Sequence, residues 1–120
     1  MEASFSFEKL QVYQKAVNFI DSVYLETRSF PKTELYGLTS QYRRAANSIA
    51  LNIAEGSGST DSDFNRYLRI ALNSACEFVV CSTIALQQKY IDKDQNNDAR
   101  LKLEELSKMI SSLQKYLKNK

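Results

Sequence analysis

Histidine and tryptophan are absent from this 120-residue chain, and proline and glycine are scarce, at one and three copies. Without histidine the commonest general acid–base is missing, and so is the commonest nitrogen ligand of zinc. A ferritin-like di-metal site, built on Glu-x-x-His motifs of facing helices, cannot be written. Scarce breakers also exclude an all-β sandwich, whose many turns draw on Gly, Pro, Asn or Asp. The two cysteines, Cys76 and Cys81, lie in an apolar segment on different helical faces. They cannot bridge within one helix and are expected as buried thiols in a reducing cytoplasm. No apolar run approaches the roughly 20 residues of a membrane span. The mixed, acidic start MEASFSFEKL is not a signal peptide. The expectation is a cytoplasmic protein with no membrane partner, no small-molecule substrate and no cofactor.

What is present is ordinary for a globular chain: 43% hydrophobic and 25% charged residues, with a formal charge of +2. The length suits one domain with a real core, taken as residues 1–120 with 1–6 as a short arm. A near-balanced charge neither demands nor excludes a nucleic-acid partner, because patches decide that.

Periodicity predicts four long helices. The first starts near Phe7 or Glu8 and runs to about Ser29, with Leu10, Tyr13, Ala16 or Val17, Ile20, Val23 or Tyr24 and Thr27 on its buried face. Phe5 and Phe7 of the arm are placed to staple it to a neighbouring surface. Phe30-Pro31 ends the helix, since the residue before proline avoids the α region. A corner over PKTELYG leads to a second helix, capped by Thr39 or Ser40 and ending at Glu55. Gly56 is expected in the left-handed conformation just past that end. Gly56-Ser57-Gly58-Ser59 reads as a hinge between antiparallel helices, not a phosphate loop, because it follows a helix and no strand. The third helix, capped by Ser59, Thr60 or Ser62, continues to about Tyr90. Ile70, Val80 and Ile84 lie off its main stripe, which marks it as central or as a subunit contact. Asp92–Asp98 is predicted as a loop, followed by a fourth helix with Leu103, Leu106, Ile110, Leu113 and Leu117 along one seam. Together these make an all-α, antiparallel up-and-down four-helix bundle.

Two sets of polar residues are candidates for a site. Gln41, Arg44, Ser48, Asn52 and Glu55 recur at steps of three or four and form a polar stripe on the second helix. With Ser74 and Glu77 of the third helix they are expected to form a packed polar seam. In it Arg44 pairs with Glu77 or Glu55, because a buried guanidinium needs a carboxylate fork. The second set comprises the basic residues Arg43, Arg66 and Arg69, candidates for phosphate contact, with Tyr36 and Tyr67 as stacking platforms. The plainer alternative is that these arginines cover helix surface with their stems. Lys102, Lys108, Lys115, Lys118 and Lys120, interspersed with Glu104 and Glu105, read as a solvated face. No arrangement of side chains supports an enzyme.

FPKTELYGLTSQYRRAANSIALNIAEGSG, followed by DFNRYLRIALNSACEF, resembles the four-helix-bundle family encoded in intervening sequences of bacterial 23S ribosomal RNA genes. These are the intervening-sequence or S23 proteins. The accessory protein of diversity-generating retroelements is similar. The resemblance runs from about Phe7 to Tyr90. It is most specific at Gln41-x-x-Arg44-Ala45, Asn52-Ile53-Ala54-Glu55-Gly56 and Phe64-x-x-Tyr67-Leu68 through Ser74 and Glu77. It implies an antiparallel bundle that assembles into a ring-like homopentamer. It also implies a non-enzymatic role whose partner is RNA or a ribonucleoprotein, since the retroelement relatives bind nucleic acid and a reverse transcriptase through a basic surface. Here that surface would fall on Arg28, Arg43, Arg44, Arg66 and Arg69. A protein-interaction scaffold docking through Val80 and Ile84 is the alternative from another class.

Overall fold

The computed structural model describes residues 2–120. It is an antiparallel up-and-down bundle of four helices, with no strand among the described residues. Helix α1 spans Gln11–Thr27, α2 Leu38–Ser57, α3 Asp61–Gln87 and α4 Lys93–Lys118. Single 3-10 turns at Ser6–Lys9 and Lys32–Glu34 precede α1 and α2. Consecutive helices pack on one another, and α3 sits between α2 and α4.

Several boundaries differ from those read off the sequence. The stretch ahead of α1 is a separate turn, in which Glu8 accepts a hydrogen bond from the Phe5 amide at 2.7 Å. Its aromatics do staple the arm: Phe7 meets Tyr13 edge-on, with ring centroids 5.0 Å apart. The most buried line of α1 is Val12, Ala16, Phe19 and Val23. Tyr13, Val17 and Ile20 flank that line half-buried. Helix α2 begins at Leu38 without a hydroxyl cap; the Glu34 carboxylate takes the Leu38 amide at 3.1 Å instead. The expected loop over Asp92–Asp98 is the start of α4. Asp92 caps it by accepting from the Gln95 amide, and Gln95 reaches back to the Asp92 amide, both at 2.8 Å. This capping box satisfies otherwise orphaned amides and outweighs the turn preference of the Asp and Asn residues. Thr60 caps α3 as expected, through the Asp63 amide at 3.2 Å.

The core is centred on Phe78. Phe19 and Tyr42 meet its ring edge-on at 4.9 and 4.4 Å, and Phe30 meets Tyr42 at 5.3 Å. Edge-to-face contact complements the ring quadrupoles and adds to plain burial. The Tyr42 hydroxyl, deep in this apolar packing, donates to the Glu26 carboxylate. Burial raises the pKa of both groups: desolvation is the main cause, and for Tyr42 the hydrogen bond from its hydroxyl to Glu26 pushes the same way.

Gly56 lies inside α2 and has no positive φ, so the expected left-handed cap is not there. It is buried at the α2–α3 contact, where a Cβ would stand 2.6 Å from the Tyr67 Cβ and 2.9 Å from the Phe64 ring. Glycine is needed for close approach rather than for turning. Contrary to the expectation that no apolar run is of membrane-span length, helix α3 is long and apolar enough, by length and composition, to cross a membrane. Its packing between two helices accounts for part of that apolarity; Ile70, Val80 and Ile84 are exposed. Of the two cysteines, Cys81 is buried as expected, and its thiol is pushed up chiefly by burial. Cys76 is exposed, because it lies on the α3 face that no helix of the protomer covers.

Candidate functional site

The polar stripe of α2 divides into an inner part and an outer part. Inside, Ser48 and Ser74 join α2 to α3 through a hydroxyl–hydroxyl hydrogen bond of 2.8 Å. The Ser74 hydroxyl donates to the Ile70 carbonyl at 3.0 Å, so Ser48 is the donor to Ser74. The Asn52 amide donates in turn to the Ser48 hydroxyl at 3.0 Å and the Ser48 carbonyl at 2.7 Å. The chain of donors thus runs Asn52, Ser48, Ser74, Ile70 and ties the two helices at mid-length.

The rest of the expected seam is not packed in this protomer. Gln41, Arg44, Glu55 and Glu77 are exposed, and Arg44 forms no ion pair with Glu77, Glu55 or any other described carboxylate. The physical reason is desolvation. Short Ser and Asn side chains fit between closely approaching helices, whereas long charged ones leave for water when no buried fork awaits them.

These outer residues line an open groove of about 740 Å³ along α2. One end is framed by Tyr24, Leu35 and Tyr36, the middle by Arg43 and Arg44, and the far end by Leu51, Asn52 and Glu55. Arg43 is held firmly. Its Nε donates to the Thr27 hydroxyl at 2.8 Å, and its guanidinium lies 4.6 Å above the centre of the Tyr24 ring. Cation–π contact and a fixed stem orient the group before any ligand arrives. Asn47 donates to the Tyr24 hydroxyl at 3.0 Å and completes the cluster. Tyr36 is 95% exposed. Yet it stands on a pinned corner, because the Glu34 carboxylate also accepts from the Tyr90 hydroxyl at 3.0 Å. That bond keeps the Tyr90 phenol protonated to higher pH than usual. At the groove's inner wall the Thr39 hydroxyl is buried and without a partner among the described residues.

The other basic candidates lie elsewhere. Arg28 caps the C-terminus of α1 and is exposed. Arg66 and Arg69 are exposed on α3; Arg66 lies 4.7 Å over Tyr67 and 3.8 Å from Asp63, while Arg69 has no partner among the described residues. Neither Arg28 nor the α3 pair lines the groove. Tyr24, Leu35, Thr39, Ser40, Asn47 and Leu51 are the groove residues that sequence reasoning missed. Only a register between α1 and α2 would have revealed Tyr24, and nothing local in the sequence gives it.

No group of three or more acidic or sulfur side chains among the described residues is placed to hold a metal ion. On α3, Ile70, Val80 and Ile84 are exposed along one side, Val80 to 59%.

Residues 8–112 match the family described as 23S rRNA-intervening sequence protein. No curated protein matches the chain. Among solved structures, a protein of unknown function from the S23 ribosomal protein family of Bacteroides thetaiotaomicron superposes with a TM-score of 0.78 at 24% identity. That match covers 87% of this chain and 98% of the other, and it establishes a shared fold.

Proposed function

The chain belongs to the 23S rRNA-intervening sequence protein family, and from that membership and the α2 groove we propose a non-enzymatic protein that binds RNA or a ribonucleoprotein partner. The observation that carries this reading is Arg43 and Arg44 side by side in an open groove, beside Tyr24 and Tyr36, with no carboxylate paired to either. An exposed guanidinium without an internal anion is free to take a phosphate, and the release of counterions then drives binding. Arg28, Arg66 and Arg69 supply further positive charge on the same protomer. The test is binding of a structured RNA across a salt series: affinity should fall as salt rises. Absent or salt-insensitive binding would sink the reading.

The exposed line of Ile70, Val80 and Ile84 on α3, interrupted by exposed Asn73 and Glu77, supports self-assembly, and the resemblance suggests a homopentamer. A mass measurement in solution decides it; a monomer at micromolar concentration would reject assembly. The same line favours a second reading, a scaffold that docks a partner protein and no nucleic acid. A partner retained after nuclease treatment, together with no RNA binding, would replace the first reading by this one.

A further inference from the structure

We propose that the α2 groove holds a single-stranded segment of RNA, with an unstacked base on Tyr36 and phosphates on Arg43 and Arg44. This rests on the RNA-binding reading above and narrows it to one site and one kind of strand.

Three independent features of the groove converge. First, Tyr36 offers a ring that is 95% exposed, on a corner held by both oxygens of the Glu34 carboxylate, at 3.1 Å to the Leu38 amide and 3.0 Å to the Tyr90 hydroxyl. A ring on a fixed backbone can stack a base with little ordering of the chain. Second, the two guanidiniums lie further along the same groove. Arg44 lies six positions into α2 from Leu38, just past the Tyr36 corner, roughly 9 Å at helical rise, which sets a phosphate site apart from a base site. The nearest acidic residue of the groove, Glu55, is eleven residues beyond Arg44, or roughly 16 Å. That exceeds the screening length of about 8–10 Å at ordinary salt, so Glu55 does not cancel the arginines. Third, the Thr39 residue is only 3% exposed, its hydroxyl lacks a partner, and it lines the groove in the first turn of α2. Buried polar groups in native proteins are nearly always satisfied; of the two orphans among the described residues, Thr39 and Asn65, Thr39 is the one that lines the groove.

Base stacking on Tyr36 requires a base freed from its neighbours, which a continuous duplex does not offer. That is why the groove selects single strands. Two arginines imply about two phosphate contacts, and for a single strand the salt slope is then about −1.4.

The test is fluorescence anisotropy on the full chain with a labelled oligouridine of about ten nucleotides, a size within known single-strand sites. A labelled RNA duplex of equal length is the comparison. Tyr36→Ala and Arg44→Gln are exposed substitutions, and circular dichroism confirms that both remain folded. The expected results are tighter binding of the single strand and about a tenfold loss on it for Tyr36→Ala, with duplex binding unchanged. Arg44→Gln should flatten the salt slope by about 0.7. Duplex bound as tightly as single strand, or Tyr36→Ala indistinguishable from the unmodified chain, overturns this assignment and leaves the broader RNA reading standing. Absence of binding to either RNA overturns both.

Discussion

The last turn of α2 and the reversal that follows it contain two glycines, Gly56 and Gly58, and no positive φ, while the reversal between α3 and α4 contains a positive φ and no glycine. At the first, Gly56 serves distance: its missing Cβ lets α2 lie against Phe64 and Tyr67 of α3. At the second, Lys89 adopts φ 64°, and the Lys89 amide bonds the Leu86 carbonyl at 3.0 Å while the Tyr90 amide bonds the Ala85 carbonyl at 2.9 Å. That pairing is the Schellman ending, normally given to glycine. So glycine stands where a side chain would not fit, and a lysine stands where the backbone would prefer glycine. The difference matters for the candidate site. Close approach at Gly56 lets Ser48 reach Ser74 further up the same pair of helices, and this fixes the inner wall of the groove.

The comparison breaks most easily at Gly56. Gly56→Ala puts a methyl group 2.6 Å from the Tyr67 Cβ, an atom too close to the backbone to swing aside. The helices must separate, and overpacking of this kind costs typically 1–3 kcal/mol; about 3 is expected here. Thermal unfolding would check it, and a neutral result would mean that the helices are not held at that distance. The second reversal predicts the opposite sign. Lys89→Gly removes a left-handed strain of roughly 1–2 kcal/mol and gives back about 0.5–1 kcal/mol in unfolded-chain entropy. A net stabilisation of about 1 kcal/mol should appear in denaturant unfolding. Loss of stability there would show that the lysine side chain makes a compensating contact.

The same contrast explains how much the sequence disclosed. Four helices, their order and most core positions follow from apolar spacing and the scarcity of breakers, and Ile70, Val80 and Ile84 do emerge exposed off the α3 stripe. Residue type alone misassigned Gly56, because a glycine shows permission without showing which need it meets. It also misplaced the start of α4, where the reciprocal Asp92–Gln95 cap overrides a run of turn-forming residues. For the candidate site, periodicity set the direction in which Arg44, Ser48, Asn52 and Glu55 point. It did not set their depth: Ser48 and Asn52 are half-buried against α3, while Arg44 and Glu55 stand in water one turn away. Depth depends on how closely a neighbouring helix approaches. The cluster of Tyr24, Arg43 and Asn47 depends on α1–α2 register and lies beyond any single-helix pattern.

The smallest effect tests the other half of the comparison, the claim that glycine in the first reversal is not serving backbone freedom. Gly58 caps α2 at φ −87° and ψ 0°, an allowed region for any L-residue, and an added Cβ would meet nothing within 4 Å. Alanine there neither clashes nor strains, and it narrows the conformations open to the unfolded chain. Gly58→Ala should therefore stabilise the protein by about 0.4 kcal/mol, at the low end for such changes because this turn is exposed. Measured beside Gly56→Ala by denaturant unfolding, it separates two glycines only two positions apart: one destabilised strongly by a methyl group, the other slightly improved. If both variants lose stability, Gly58 has a constraint of its own and the reversal is built on backbone freedom after all. If both are neutral, the close approach that positions Ser48 against Ser74 is softer than the 2.6 Å contact implies. The groove above it would then be free to change shape.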